Sequence, residues 1–171
     1  NMIAITIDDG PYAQITNAIL NTLKQQKVKA TFFVLGKQLA FPANVAALKR
    51  ADKEGHIIAS HTFNHPDLTG LTDAQIVKEM NDTSDAIFAA IKKRPRLMRP
   101  PMGLIGDRSR AMIQGMGYEI IGWSIDTNDW KSDRQVNDML KEVRGQVTKQ
   151  KSGIVLLHDL FSHTSQVLPG L

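Results

Sequence analysis

Short apolar runs alternate along the chain with longer stretches in which apolar positions recur every three or four residues. Met2–Ile7 reads as a strand, and Ile15, Ala18, Ile19 and Leu23 then repeat at helical spacing. Ala30–Leu35 reads as a buried strand, Val45–Lys53 as a second helix closed by Gly55, and His56–Ser60 as a third strand. Thr72-Asp73-Ala74-Gln75 has the form of a capping box, in which the first and fourth side chains each satisfy the other's backbone N–H. Ile76, Met80, Ile87 and Ile91 continue that helix on one face. Leu97–Arg99 follows as a short strand, Asp107–Met116 as a helix ended by Gly115 and Gly117, and Glu119–Ile125 as a strand. A second capping box, Ser132-Asp133-Arg134-Gln135, opens a helix to about Lys149, and Ile154–Leu157 is the last strand.

Strand and helix therefore alternate, and the strands are continuously apolar rather than two-faced. That pattern predicts an α/β protein with a parallel sheet covered by helices. The polar residues sharpen it. Asp8 and Asp9 follow the first strand, His61 the third, Arg99 ends the fourth, Asp126 and Asp129 follow the fifth, and His158 follows the last. In a barrel of parallel strands such ends converge on one mouth. An open doubly wound sheet gathers only those near its switch point. Five contributing strand ends favour a closed or nearly closed barrel.

Composition narrows this further. A chain of 171 residues suits one domain with a real core, residues 1–171. It has no cysteine, so any metal must be held by His, Asp or Glu. No apolar run approaches the ~20 residues of a membrane span. The net charge of +4 is modest, and its densest basic stretch, Lys92–Arg94 with Arg96, lacks interleaved aromatics. It reads as a solvated helix end, so no nucleic-acid partner is expected.

Adjacent carboxylates such as Asp8 and Asp9 repel, and burial raises their pKa values unless a cation or hydrogen bonds compensate. His61 and His65 lie four apart, where a helical turn brings Cβ atoms to ~5–6 Å and two imidazoles to one zinc. Pro66 disfavours helix at His65, so that turn must end there. The pair alone is a weak signal. With Asp9 it becomes a three-ligand open site of the kind a catalytic zinc needs, leaving Asp8 to accept a proton from water. Arg99 has a fork suited to a carboxylate, although its own segment equally allows a surface charge beside a proline turn. His158, taken alone, reads as a rim histidine, and Asp129-Trp130 as a loop with a packed aromatic.

Taken in order, Thr6–Pro11, His61–Pro66, Arg99–Gly103, Asp126–Trp130 and Leu156–Asp159 resemble the five motifs of the polysaccharide deacetylase family, carbohydrate esterase family 4, over nearly the whole chain. The resemblance implies a distorted (β/α) barrel of about seven strands, and a bound divalent metal, usually zinc but also Co2+. It implies Asp9, His61 and His65 as metal ligands, Asp8 as catalytic base held by Arg99, and His158 as general acid paired with Asp129. It implies Trp130 and Leu156 as walls of the acetyl pocket, with Pro101 and Met102 facing substrate and the Met102 N–H holding the oxyanion. Met102 stands where tyrosine or phenylalanine is commoner, and Ile7 where Phe is usual.

The family usually continues past the region where this chain stops, so the barrel is expected to be incomplete, and the domain truncated, at the C-terminal end. The implied activity is hydrolysis of N-acetyl groups from N-acetylglucosamine residues of a polysaccharide or oligosaccharide, first of all chitin or chitooligosaccharides. Peptidoglycan N-acetylglucosamine deacetylase and acetylxylan esterase are the alternatives, and an inactive carbohydrate-binding barrel is the reading from another class. A hydrolase of small cyclic amides ranks below these. The expected protein is monomeric and secreted or cell-wall associated.

Overall fold

A computed structural model of the protein describes residues 2–131 and 133–171. Seven strands form one sheet: β1 (Ile3–Asp8), β2 (Ala30–Val34), β3 (Ile57–Ser60), β4 (Leu97–Met98), β5 (Glu119–Ile120), β6 (Ile125–Asp126) and β7 (Gly153–His158). Their order is β5-β4-β3-β2-β1-β7-β6, and every pairing is parallel. The helices are α1 (Ala13–Gln26), α2 (Pro42–Lys53), α3 (Asp73–Ile91), α4 (Asp107–Gly115), α5 (Val136–Gln150) and α6 (Ser162–Val167). The sheet curls into an incomplete (β/α) barrel, as expected.

The inner strands β3, β2, β1 and β7 each carry a run of three buried residues, because both faces are covered. One apolar core joins Ile7, Phe32, Val155 and Leu157 of these strands to Ile19, Leu20 and Leu48 of α1 and α2 and to Met139 of α5. A second, smaller core of Met80, Met98, Ile113 and Tyr118 lies where α3 and α4 meet β4. Register sets the function-bearing end. Asp8 is aligned with Phe33 on one side and His158 on the other, and Asp126 with Leu156.

Several elements differ from their sequence-based limits. Proline at the first helical position, where its missing N–H costs nothing, lets α2 start at Pro42. The Thr72 capping box forms as expected. Ser132, in the second expected box, lies outside the described residues, and α5 begins only at Val136 without a side-chain cap. The run Glu119–Ile125 is not one strand. It splits into β5 and β6, the two edges of the sheet, joined by residues 121–124. Ile121 N–H donates to Met98 O at 2.9 Å, and Ser124 N–H donates to Ile154 O at 3.0 Å, so this link is stitched to both flanks of the gap. Among the described residues no helix is long and apolar enough to cross a membrane.

Leu48 and Lys49 are consecutive on α2, one 1% exposed and the other facing solvent. Leu48→Ala should cost about 2–5 kcal/mol and Lys49→Ala less than about 0.5 kcal/mol, as read from urea unfolding followed by circular dichroism.

Candidate active site

The strand ends bring together a cavity of about 400 Å³. Of the residues expected from the sequence, Asp8, Asp9, His61, His65, Met102, Trp130, Leu156 and His158 line it. Arg99 and Asp129 stand behind, fully buried. Pro101 is a correction: it is buried and does not line the cavity, whereas Pro100 does. Trp123, Asp126, Leu160 and Phe161 complete the lining.

Asp8 is 2% exposed. Its Oδ1 accepts a hydrogen bond from Arg99 Nη1 at 2.8 Å. Burial pushes its carboxyl up to about 6, against the pull of Arg99 and His158. Arg99 also donates from Nη1 to Thr6 Oγ1 at 2.8 Å, from Nη2 to Gly122 O at 2.8 Å and from Nε to Ile121 O at 3.3 Å. Its guanidinium lies 4.3 Å over the Phe33 ring. Of the two readings open for Arg99, the carboxylate clamp is the one present.

Asp9 adopts a left-handed backbone, with φ of 74°. Its Oδ1 lies 3.4 Å from His61 Nε2 and 3.4 Å from His65 Nε2. That oxygen is buried and has no hydrogen-bond partner among the described residues. The spacing is long for a hydrogen bond and suits three ligands converging on one ion, their donor atoms all within 4.8 Å of one another. His61 Nδ1 meets the Arg99 carbonyl at 2.8 Å. A carbonyl only accepts, so Nδ1 carries the hydrogen and the Nε2 lone pair is left on the Asp9 side. Burial drives His61 down to about 3, which keeps it the neutral imidazole a metal requires. The residues present therefore fit a divalent cation.

The two histidines do not share a helical turn. Residues 61–65 form a loop with Thr62 and His65 left-handed, at φ of 69° and 68°. Glu79 of α3 shapes that loop: its carboxylate accepts from the N–H groups of Phe63 and Asn64 and from the Asn64 amide, each at 2.8 Å. Sequence reasoning missed Glu79. The available signal was an acid beside Met80, on the flank of the α3 core stripe.

His158 stands at the end of β7. Its Nδ1 is 2.7 Å from Asp129 Oδ1, and its N–H donates to Asp129 Oδ2 at 2.7 Å. Thr164 Oγ1 donates to the same Oδ2 at 2.9 Å, and His163 Nε2 donates to Asp129 O at 2.6 Å. Burial disfavours the imidazolium, but the Asp129 hydrogen bond and charge, with Asp8 and Asp9 beyond, outweigh it and hold His158 above its ordinary value. A buried carboxyl and an imidazole held above its ordinary value thus occupy neighbouring strands at the same register, beside three groups that could hold a metal. Such an array is suited to hydrolysis in which one group takes a proton from water and another delivers one to a leaving group.

The polysaccharide deacetylase family model matches residues 1–121. The peptidoglycan-N-acetylglucosamine deacetylase PgdA of Listeria monocytogenes is 38% identical over 166 residues, covering 97% of this chain and 34% of that protein. A chitin deacetylase of Pestalotiopsis sp is 33% identical over 98% of this chain and 56% of its own length. The chain thus spans only about a third to a half of these curated relatives. Among solved structures, the T48 deacetylase with substrate superposes with a TM-score of 0.87 at 35% identity, over 98% of this chain and 80% of that one.

In the metal-free protein, the His158 imidazole should titrate by NMR above the ordinary ~6.5, and Asp129→Asn should lower it. A raised folded value means that the charged pair stabilises the fold fully below that ordinary value and ceases to do so as pH rises through the folded one.

Proposed function

Because the chain belongs to the polysaccharide deacetylase family, we propose that it hydrolyses N-acetyl groups of N-acetylglucosamine residues in a polysaccharide, releasing acetate. The observation that carries the reading is the unpaired Asp9 Oδ1, 3.4 Å from two imidazole nitrogens and one residue from a base clamped by Arg99. Asp9, His61 and His65 would hold the cation, and a set of two imidazoles and one carboxylate suits zinc. When bound, such an ion acts as a Lewis acid and eases deprotonation of water.

The remaining steps belong to the side chains. Asp8, fixed at Oδ1 by Arg99, takes a proton as water adds to the acetamide carbon. Met102 sits at the cavity in a left-handed turn, with φ of 57°, where its backbone N–H serves the developing oxyanion. His158, its Nδ1 engaged by Asp129, delivers a proton to the nitrogen as the C–N bond breaks. Trp130 and Leu156 wall the space for the acetyl methyl.

The Arg99–Gly103 motif supports chitin or chitooligosaccharides as the polymer. The Listeria relative supports peptidoglycan as the second reading. Both polymers lie outside the cytoplasm, so the reading carries with it a secreted or wall-associated protein.

Acetate release from chitooligosaccharides, peptidoglycan and acetylxylan, assayed in parallel with added zinc, should occur on the N-acetylated polymers and stop on chelation. Release from none of them would identify an inactive carbohydrate-binding barrel. Asp8→Asn should retain zinc and lower turnover by about 10²–10⁴-fold; zinc loss in that variant would reassign Asp8. His158→Ala should lose more on N-acetyl than on O-acetyl substrates, because an amine departs poorly without a proton, and equal losses would remove the leaving-group role.

A further inference from the structure

Asp159 follows the general acid and takes no part in the chemistry above, yet it is fully buried. Its backbone N–H donates to Asp8 O at 2.8 Å. Its carboxyl Oδ2 is 2.6 Å from Thr16 Oγ1 at the start of α1. The same carboxyl lies against Gly10, the residue after Asp9. A Cβ placed on Gly10 would come within 2.1 Å of Asp159 Oδ2 and 2.8 Å of its carboxyl carbon. Gly10 has no left-handed backbone angle, so close approach alone demands glycine there. On the other side, Gly10 O accepts from Leu35 N–H at 2.9 Å.

The Asp8-Asp9-Gly10 turn is therefore gripped from β2 and from the end of β7. The grip matters because Asp9 holds a left-handed conformation, which non-glycine residues keep only where their surroundings impose it. The geometry points to Asp159 as a positioning residue for the metal-ligand turn: packed on Gly10 and bonded to Asp8 O, it keeps Asp9 Oδ1 aligned with His61 and His65. This rests on the proposed metal triad.

Thr16 Oγ1, which also lies 2.9 Å from Tyr12 O, donates to the Asp159 carboxyl. Burial pushes that carboxyl up to about 8, against the pull of its hydrogen bonds from Thr16 and Tyr12. An asparagine side chain reproduces the shape packed on Gly10 and keeps an oxygen that accepts from Thr16.

Zinc affinity, measured by competition with a chromophoric chelator, tests the inference without reference to turnover. Thermal unfolding of each metal-free variant is recorded beside it. Asp159→Ala should weaken zinc about 10–100-fold, the usual cost of losing an outer-shell support, while Asp159→Asn stays within about threefold of the parent, well below that range. Gly10→Ala should weaken zinc by at least as much as Asp159→Ala, and adding Asp159→Ala to it should recover part of the loss, because two of the clashing atoms are removed. Parent-like affinity in Asp159→Ala, a loss in Asp159→Asn equal to that in Asp159→Ala, or a double variant no better than Gly10→Ala would each overturn it. If Asp159→Ala does not fold, Asp159→Ser makes the same comparison. A parent chain that binds no zinc overturns the metal triad itself, and the inference with it.

Discussion

The buried guanidinium of Arg99 holds this molecule together. Taking a cation out of water costs several kcal/mol and is tolerated only where charge and hydrogen bonds are both supplied. Here Asp8 supplies the charge, and Thr6, Ile121 and Gly122 accept three further hydrogen bonds. The partners come from separate parts of the sheet: Thr6 and Asp8 from the inner strand β1, Ile121 and Gly122 from the link between its two edges. Where β5 and β6 fail to pair, a side chain provides donors that a neighbouring strand would otherwise have provided. The same residue's carbonyl fixes the tautomer of His61. The tie between β1 and the edge link, the state of Asp8 and the orientation of His61 thus depend on one residue.

This arrangement explains why the site tolerates so much burial of polar groups. Asp8 is raised by desolvation and pulled back by Arg99 and His158. His158 is raised instead by a carboxylate with no exposed surface. The two are aligned across adjacent parallel strands, so the backbone ladder fixes their separation. Groups of opposite task are set apart by environment rather than by residue type.

The fold was legible because its strands are apolar on both faces and its reactive residues all fall at strand ends. Asp8 and His61 stood out on that ground, whereas His158 alone read as a rim histidine and took its role only from the family resemblance. Where the sequence misled, the reason is local. Glu119–Ile125 has four large apolar residues among its seven, and so short a pattern does not tell two edge strands and a link from one strand. His61 and His65 suggested a helical turn because four-residue spacing fits one, while their loop is shaped by Glu79 from α3. The contact of Asp159 with Thr16 spans 143 positions and leaves no periodic trace. Pro100 rather than Pro101 meets the cavity because the chain turns at residues 101–103, a matter of backbone angles that a Pro-Pro pair does not specify.

The two edge strands have only two residues each. An exposed sheet edge is a template on which another chain can add a strand, and long flat edges invite aggregation. Edges this short offer a stranger almost no ladder, and the link between them already has its Ile121 and Ser124 N–H groups engaged at home. The described edges can therefore stay unpaired without becoming adhesive.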